Sequence, residues 1–174
     1  MDDILKQRCG KIRLLLSDVD GVLTDGRIVL DNQGIETKRF SIRDGLGVKL
    51  WQKAGHRFGI ITGRTSRIVQ TRAAELGIDL VRQGFEDKLP VAQEIMELLG
   101  LTPEEVCYIG DDLPDLPVIR RVGLGVAVAD ADAAVQNASD HATTTPGGAG
   151  AVRELIETIL KQQGRWDHLV QKYF

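Results

Sequence analysis

The sequence contains, at residues 14–25, the stretch LLLSDVDGVLTD, in which an apolar run ends in two carboxylates and a glycine. The apolar run predicts a buried β-strand, and residues i and i+2 of an extended segment point to the same side. We therefore expect Asp18 and Asp20 to converge at the carboxyl end of this strand. That edge is where open α/β sheets bind their ligands, so the stretch predicts both the fold and the position of a site.

The pair of carboxylates also limits the kinds of reaction that the site can catalyse. Two carboxylates this close repel each other unless a cation lies between them or one of them keeps its proton. Both arrangements suit phosphoryl transfer, in which a metal ion holds the phosphate, one carboxylate attacks and the other handles the proton. Taken alone, Asp-Val-Asp-Gly also fits a plain turn or a calcium-binding loop, and the apolar strand before it is what favours catalysis.

Length and composition bound the class of protein. The chain has 174 residues, a net charge of −3, 43% hydrophobic and 27% charged residues, which predicts one globular domain spanning 1–174. The charge argues against nucleic acid or an anionic membrane as a partner. No apolar run approaches the roughly 18 residues of a membrane span, and Met1-Asp2-Asp3 does not begin a signal peptide. The two cysteines, Cys9 and Cys107, lack metal-binding spacing, and we expect a cytoplasmic protein.

Short apolar runs alternate with helical periodicity along the chain. This alternation predicts an α/β fold: a doubly wound, Rossmann-like, mainly parallel sheet with helices on both faces. The predicted strands are 14–17, 57–61, 80–82, 105–109, 124–128 and 141–143. The predicted helices are 47–54, 67–76, 88–99, 116–122, 131–138 and 149–162. No insertion is large enough to form a cap domain.

Two segments stand apart from this alternation. Residues 26–42 contain two β-rich runs, 27–30 and 35–40, joined by the turn 31–34, and they predict a protruding β-hairpin after the first strand. An isolated hairpin is marginally stable and exposes its edges, so we interpret it as an oligomerisation arm; packing on its own sheet is the alternative. The C-terminal tail, 164–174, has one apolar helical face that needs cover from its own domain or from another chain.

Two strands downstream end in residue types that bind phosphate. An apolar run leads into Thr62-Gly63-Arg64, where the hydroxyl and the glycine backbone suit a phosphate oxygen. The guanidinium of Arg64 suits a phosphate or a carboxylate. After the third predicted strand, Lys88 can neutralise charge on a phosphate. Each motif alone is weak, since Thr62 could instead cap a helix and Lys88 could be an ordinary exposed lysine.

A further group of acids follows the fourth predicted strand of the sheet. The motif GDDLPD contains Asp111, which suits a metal ligand, and Asp112 and Asp115, either of which suits a residue that holds metal-bound water. Asp115 also suits a helix cap. Together with Asp18 and Asp20, these carboxylates would repel one another strongly without a divalent cation. The number of acids therefore predicts a Mg²⁺ requirement.

The motifs occur in the order DxD, Thr, Lys and GDDxxD, and with them the chain resembles the haloacid dehalogenase superfamily of phosphohydrolases over nearly its whole length. The resemblance implies that Asp18 is the nucleophile that forms an aspartyl-phosphate. Asp20 would be the general acid for the leaving alcohol and then the base for water. The resemblance further implies two groups of binding residues: Thr62, Gly63 and Lys88 for the phosphoryl group, and Asp18, the backbone carbonyl of Asp20, Asp111 and Asp112 for Mg²⁺.

Longer stretches, including DVDGVLTDG and GDDLPDLP, resemble a small capless subfamily that hydrolyses 3-deoxy-D-manno-octulosonate 8-phosphate. This implies a small sugar phosphate as partner and a homotetramer joined through the 26–42 hairpin, with the tail near a neighbouring site. Arg64, Arg43 and Asp44 are candidate substrate-binding residues. Ala149 stands where many members have an arginine, so a nonulosonate 9-phosphate is the alternative substrate.

Two other classes of protein share part of this pattern. A signalling receiver domain also combines clustered acids, a threonine or serine and a lysine on a doubly wound sheet. Its acceptor aspartate follows the third strand, however, and the run 80–82 of this chain has no aspartate at its end. A catalytically idle oligomerisation domain is the other alternative, and the full set of catalytic residue types argues against it. The sequence therefore favours a Mg²⁺-dependent phosphatase.

Overall fold

The structure is a computed structural model that describes residues 3–174. Met1 and Asp2, part of the start considered above for a signal peptide, lie outside the described residues. The strands of the described chain are β1 (Leu14–Ser17), β2 (Val29–Leu30), β3 (Glu36–Thr37), β4 (Arg57–Thr62), β5 (Leu80–Gln83), β6 (Val106–Gly110), β7 (Leu124–Ala127) and β8 (His141–Ala142). Six of them form a parallel sheet in the order β5-β4-β1-β6-β7-β8, which confirms the predicted fold class.

Helices surround this sheet. Their bounds are α1 (Asp3–Lys11), α2 (Ile42–Lys53), α3 (Arg67–Leu76), α4 (Lys88–Leu99), α5 (Leu116–Ile119), α6 (Ala133–Ala138), α7 (Ala151–Gln162) and α8 (Trp166–Val170). Helix α1 was not predicted from the sequence, because Cys9 is its one buried residue and the apolar periodicity is weak. Helix α2 begins five residues before the predicted start, because two glycines and the exposed Ile42 obscure the pattern there. None of the helices within residues 3–174 is long and apolar enough to cross a lipid bilayer.

The central strand β1 fixes the edge of the sheet at which polar residues collect. All four of its residues are buried, because neighbouring strands and helices cover it on every side. Its last residue, Ser17, lies opposite Ile60 of β4 and Ile109 of β6. The segments that follow these three strands therefore leave the sheet side by side, which places the predicted motifs next to one another.

The hairpin forms as predicted but stands away from the main sheet. Its two strands pair only with each other, antiparallel, with Val29 opposite Thr37 and Leu30 opposite Glu36. Four apolar side chains of the hairpin are 49% to 62% exposed: Ile28, Val29, Leu30 and Ile35. These four do not pack on the protein's own domain, whereas Phe40, at the end of the hairpin, is partly buried against the core.

The C-terminal tail divides into two parts. Trp166, Leu169 and Val170 are buried against their own domain, and Trp166 lies under the guanidinium of Arg153, 4.8 Å from the ring centre. The last two aromatic residues, Tyr173 and Phe174, are exposed. The chain's own domain thus covers the first turn of the tail and leaves its end free.

Asp44, a predicted substrate-binding residue, lies between two helices and does not line the cleft that contains Asp18 and Asp111. It is 2% exposed near the start of α2, and its Oδ1 accepts a hydrogen bond from the backbone N–H of Arg153 in α7 at 2.8 Å. Its Oδ2 is buried and has no hydrogen-bond partner among the described residues. Burial raises the pKa of Asp44 to about 6, against the lowering effect of the backbone hydrogen bonds from α7. In this chain Asp44 therefore joins α2 to α7.

The ionised form of Asp44 should cost stability. The pKa of Asp44 is higher in the folded than in the unfolded chain, so the neutral carboxyl stabilises the fold fully below about pH 4, and this stabilisation is lost as pH rises through about 6. Asn stays neutral at every pH. The unfolding free energy of Asp44→Asn, relative to that of the parent, should therefore increase between pH 4 and 8 by up to about 3 kcal/mol. Urea unfolding at both pH values measures this. Asp167→Asn, at an exposed position, is the control, and a difference that does not change with pH would contradict the account.

Candidate active site

One cleft of about 470 Å³ contains most of the predicted site residues. Asp18 follows β1 directly, and its backbone N–H donates to the carbonyl of Ile109 at 3.1 Å, which extends the ladder by one residue. Thr62 ends β4, and Asp111 comes directly after β6. The predicted residues that line the cleft are Asp18, Asp20, Thr62, Gly63, Arg64, Lys88, Asp111 and Asp112.

Lys88 lies at the centre of the acids and is 4% exposed. Its Nζ is 2.9 Å from Asp18 Oδ1 and 2.6 Å from Asp115 Oδ1. Burial alone would lower the pKa of Lys88, but the two carboxylates raise it above its usual value. The ammonium is therefore charged across the neutral range, and the alternative of an ordinary exposed lysine at the start of a helix is wrong.

Asp115 organises the loop after β6 with both of its carboxylate oxygens. Oδ1 accepts from Lys88 and from the hydroxyl of Tyr108 at 2.6 Å, while Oδ2 accepts from the backbone N–H groups of Asp111 and Asp112 at 2.9 and 3.2 Å. A Cβ at Gly110 would lie 2.4 Å from the Asp115 side chain, so glycine is needed there for the loop to fold back. The sequence analysis missed Tyr108, because a tyrosine inside an apolar strand gives no polar signal.

A divalent cation fits between Asp18 and Asp111. One oxygen each of Asp18, Asp111 and Asp115 lies within 4.8 Å of the others, but donors already occupy both oxygens of Asp115. Asp111 Oδ1, by contrast, is buried and finds no hydrogen-bond partner within residues 3–174. A side chain at Gly21 would collide with the Asp111 carboxylate, with Cβ only 2.0 Å from Oδ2. Carboxylate oxygens are hard ligands, and two carboxylates beside a glycine that leaves space for an ion suit Mg²⁺.

Asp112, a predicted metal ligand, uses its side chain differently. Its Oδ1 accepts from the backbone N–H of Leu113 at 2.8 Å, so the carboxylate caps the short 3₁₀ turn that follows. The residue still lines the cleft. Its supporting role toward Mg²⁺ stays a prediction, as does that of the Asp20 carbonyl.

Asp20 does not reach the cluster by the route that the sequence suggested. Strand β1 ends at Ser17, and the chain then turns, with the N–H groups of Val22, Leu23 and Thr24 all donating to the carbonyl of Val19. The rule for residues i and i+2 of an extended segment therefore does not apply. Asp20 lines the same cleft as Asp18, but its carboxyl forms ion pairs with Lys38 of the hairpin and with Arg64.

Arg43 lies outside this cleft. It is exposed and lines a separate groove of about 410 Å³ together with Ala149, Gly150 and Arg153. Within the described chain, the structure therefore brings neither Arg43 nor the buried Asp44 to the carboxylates. A substrate-binding role for Arg43 stays a prediction.

Known proteins share both the sequence and the fold of this chain. Residues 78–155 match the haloacid dehalogenase-like hydrolase family. The chain is 46% identical to the 3-deoxy-D-manno-octulosonate 8-phosphate phosphatase of Escherichia coli K12 over 156 residues, which cover 90% of this chain and 83% of that protein. The chain belongs to the 3-deoxy-D-manno-octulosonate 8-phosphate phosphatase family. It is therefore a phosphatase of the haloacid dehalogenase class.

Solved structures of this phosphatase family superpose closely on the chain. One is the phosphatase from Moraxella catarrhalis in complex with magnesium ion, phosphate ion and KDO, the short name of 3-deoxy-D-manno-octulosonate. It has a TM-score of 0.97 and 42% identity, and the match covers 100% of this chain and 99% of the Moraxella chain. The cobalt-bound form from Haemophilus influenzae has a TM-score of 0.90 and 42% identity, covering 92% of this chain and 94% of its own. The agreement extends over the sheet and the strand ends that form the cleft.

Cation binding at the cluster should release protons. Burial raises the pKa of Asp18 to about 6, and burial together with the neighbouring Asp18 carboxylate raises that of Asp111 to about 8, whereas a cation needs both groups ionised. The affinity for Mg²⁺ should therefore increase as pH rises from 6 to 8. Calorimetric titration in buffers with different ionisation enthalpies measures both the affinity and the protons released.

Two variants make this measurement specific. Asp111→Asn should abolish the binding, because it removes one of the two carboxylates with an open oxygen. Asp79→Asn, at an exposed residue next to the amino end of β5, should leave it unchanged. Equal affinity at both pH values without proton release would contradict the assignment of Asp18 and Asp111 as the binding pair.

Proposed function

We propose that the chain hydrolyses 3-deoxy-D-manno-octulosonate 8-phosphate to 3-deoxy-D-manno-octulosonate and inorganic phosphate, with Mg²⁺ as its cofactor. The observation that carries the proposal is the group of Asp18, Lys88 and Asp111 at the ends of neighbouring strands, in which Lys88 pairs with Asp18 and the buried Asp111 Oδ1 has no hydrogen-bond partner within residues 3–174. The relatives support it, since the E. coli protein carries this name and the Moraxella enzyme binds magnesium, phosphate and KDO.

The reaction proceeds in two displacements at phosphorus. A carboxylate oxygen of Asp18 forms a bond to phosphorus while the bond from phosphorus to the sugar oxygen breaks, and the carboxyl of Asp20 gives its proton to that oxygen. Water then attacks the phosphorus of the aspartyl-phosphate and gives a proton to Asp20. Phosphate leaves, and Asp18 returns to its carboxylate form.

The other groups of the cleft bind and neutralise the phosphoryl group. The charged Lys88 is 2.9 Å from the attacking carboxylate and balances negative charge on the phosphate. The hydroxyl of Thr62 and the backbone N–H of Gly63 donate to phosphate oxygens from the end of β4. Mg²⁺, held by Asp18, Asp111 and the Asp20 carbonyl, supplies further positive charge beside the phosphate.

The substrate's carboxylate needs a cation of its own. Arg64 follows the phosphate-binding residues, is 43% exposed and faces the cleft, so it is suited to this carboxylate. Ala149 lacks the charge that many members have at this position. A nonulosonate 9-phosphate, which carries the same kind of carboxylate, is therefore the alternative substrate.

A steady-state comparison of substrates tests this function. With Mg²⁺, kcat/KM for 3-deoxy-D-manno-octulosonate 8-phosphate should exceed that for hexose phosphates by on the order of a hundredfold or more, and EDTA should abolish the activity. Asp18→Asn should abolish turnover while the thermal unfolding midpoint stays close to that of the parent. A higher kcat/KM for a nonulosonate 9-phosphate would make that compound the substrate. Activity in Asp18→Asn would overturn the mechanism.

The chain forms a homotetramer through the hairpin of residues 26–42. Four apolar side chains of this hairpin are about half exposed or more, and its strands have free edges, which are the features of a surface that another chain covers. The exposed end of the tail, Tyr173 and Phe174, then lies free to approach a neighbouring site.

Charges on the hairpin should break this assembly. In sedimentation velocity we expect a tetramer for the parent and smaller species for Val29→Glu/Ile35→Glu, because two charges would be buried in the interface. Both side chains are exposed within one chain, so the fold itself should tolerate the change. Gln33→Glu, in the exposed turn, is the control. A parent monomer, or a double variant that remains tetrameric, would exclude the hairpin as the arm.

The protein acts in the cytoplasm. Cys9 and Cys107 are both buried free thiols, which reducing compartments preserve. Burial also raises the pKa of both thiols, so they stay protonated and unreactive.

A further inference from the structure

Lys38 reaches from the hairpin to Asp20, one of the residues that line the active-site cleft. It lies directly after β3, and its side chain is 1% exposed although the rest of the hairpin is largely exposed. Its ammonium forms a close ion pair with the carboxylate of Asp20. The sequence analysis assigned Lys38 no role, because nothing in a short charged hairpin indicates which lysine turns inward.

Lys38 belongs to a group of four side chains, two acidic and two basic. Glu36 binds Arg64 at 2.6 Å and approaches Lys38 at 3.6 Å, and Arg64 also lies 3.8 Å from Asp20. Ser66 Oγ donates to Glu36 at 3.5 Å. A long charged side chain loses conformational entropy when it is fixed in one conformation. The ion pairs within this group offset that cost and hold the Lys38 side chain in one conformation.

Asp20 depends on this group for the orientation of its side chain. Unlike Asp18, whose backbone continues the ladder of β1, Asp20 lies in a turn. Within the described chain, its carboxylate has three polar partners: Lys38, Arg64 and the hydroxyl of Thr24, the last at 3.5 Å. A general acid must lie within hydrogen-bonding reach of the leaving oxygen, and a displacement of about 1 Å can cost about a hundredfold in rate.

We propose that Lys38 is the positioning residue for the Asp20 carboxyl group: supplied by the hairpin, it holds Asp20 toward the leaving oxygen of the substrate. The inference rests on the proposed function, since it concerns the proton that Asp20 gives. Arg64 is 43% exposed and lines the cleft, so it can exchange its ion pair with Glu36 for one with an incoming anion, whereas the enclosed Lys38 stays with Asp20. We therefore assign substrate binding to Arg64 and the orientation of the acid to Lys38.

The proposal predicts a loss that depends on the leaving group. An alkyl alcohol is a poor leaving group and needs a proton from Asp20, while p-nitrophenolate leaves without one. Lys38→Met, which keeps the length of the side chain but removes its charge, should lower kcat/KM for alkyl phosphates by on the order of ten- to a hundredfold. For p-nitrophenyl phosphate the loss should stay below about threefold, because that reaction bypasses the acid.

The experiment uses three substrates and matched variants in the full chain. The substrates are 3-deoxy-D-manno-octulosonate 8-phosphate, a neutral sugar phosphate without a carboxylate, and p-nitrophenyl phosphate. Arg39→Met, at the adjacent exposed residue, should behave like the parent, and Lys38→Arg should recover part of the alkyl activity. In an Asp20→Asn background, Lys38→Met should cause no further loss, because the group it positions is already gone. Thermal unfolding verifies that each variant folds.

Each possible outcome either supports or overturns the role of Lys38. A loss on both alkyl phosphates with the aryl phosphate spared supports the proposal. Equal losses on all three substrates, no loss, or a loss confined to the carboxylate-bearing sugar would overturn it, the last by assigning Lys38 to substrate binding. A parent without Mg²⁺-dependent activity on any of the three would instead refute the proposed function, and the role of Lys38 with it.

Discussion

The buried ion pair between Lys88 and the acids at the end of β1 is the interaction on which the site depends. Each of these charges loses much of its hydration on folding, a cost that only close pairing and complete hydrogen bonding offset. Asp115 satisfies Lys88, the hydroxyl of Tyr108 and two backbone N–H groups at once, and so joins α4, β6 and the loop after β6. Asp111 Oδ1 is left buried without a hydrogen-bond partner within residues 3–174, and the same packing that stabilises the fold thus prepares a place for a cation and a phosphate.

The sequence predicted what parallel strands dictate. Apolar runs in the sequence predicted the positions of the strands. Because the carboxyl ends of parallel strands meet at one edge of the sheet, Asp18, Thr62 and Asp111 could be expected to lie close together. The sequence did not predict that Asp115 would satisfy four donors, because this depends on a loop folding back over Gly110. Helix α1 was missed because its sequence lacks a strong apolar face.

The surroundings of Asp20 were beyond sequence reasoning for a different reason. Its partners Lys38 and Arg64 come from the hairpin and from the segment after β4, and nothing local relates these segments to the turn that holds Asp20. The hairpin thus has two faces. Four of its apolar side chains are exposed and suited to another copy of the chain, while Lys38 turns toward Asp20. The proposals for assembly and for the orientation of Asp20 therefore concern the same short segment.

The most direct measurement traps the covalent intermediate on the nucleophile. In Asp20→Asn with Mg²⁺ and p-nitrophenyl phosphate, the first displacement needs no acid, but the second lacks its base, so phosphoenzyme should accumulate. After an acid quench, mass spectrometry should find one phosphoryl group on the peptide that contains Asp18, together with a burst of p-nitrophenolate equal to the enzyme concentration. Steady release of p-nitrophenolate without a burst, or a phosphoryl group on another residue, would contradict the role of Asp18.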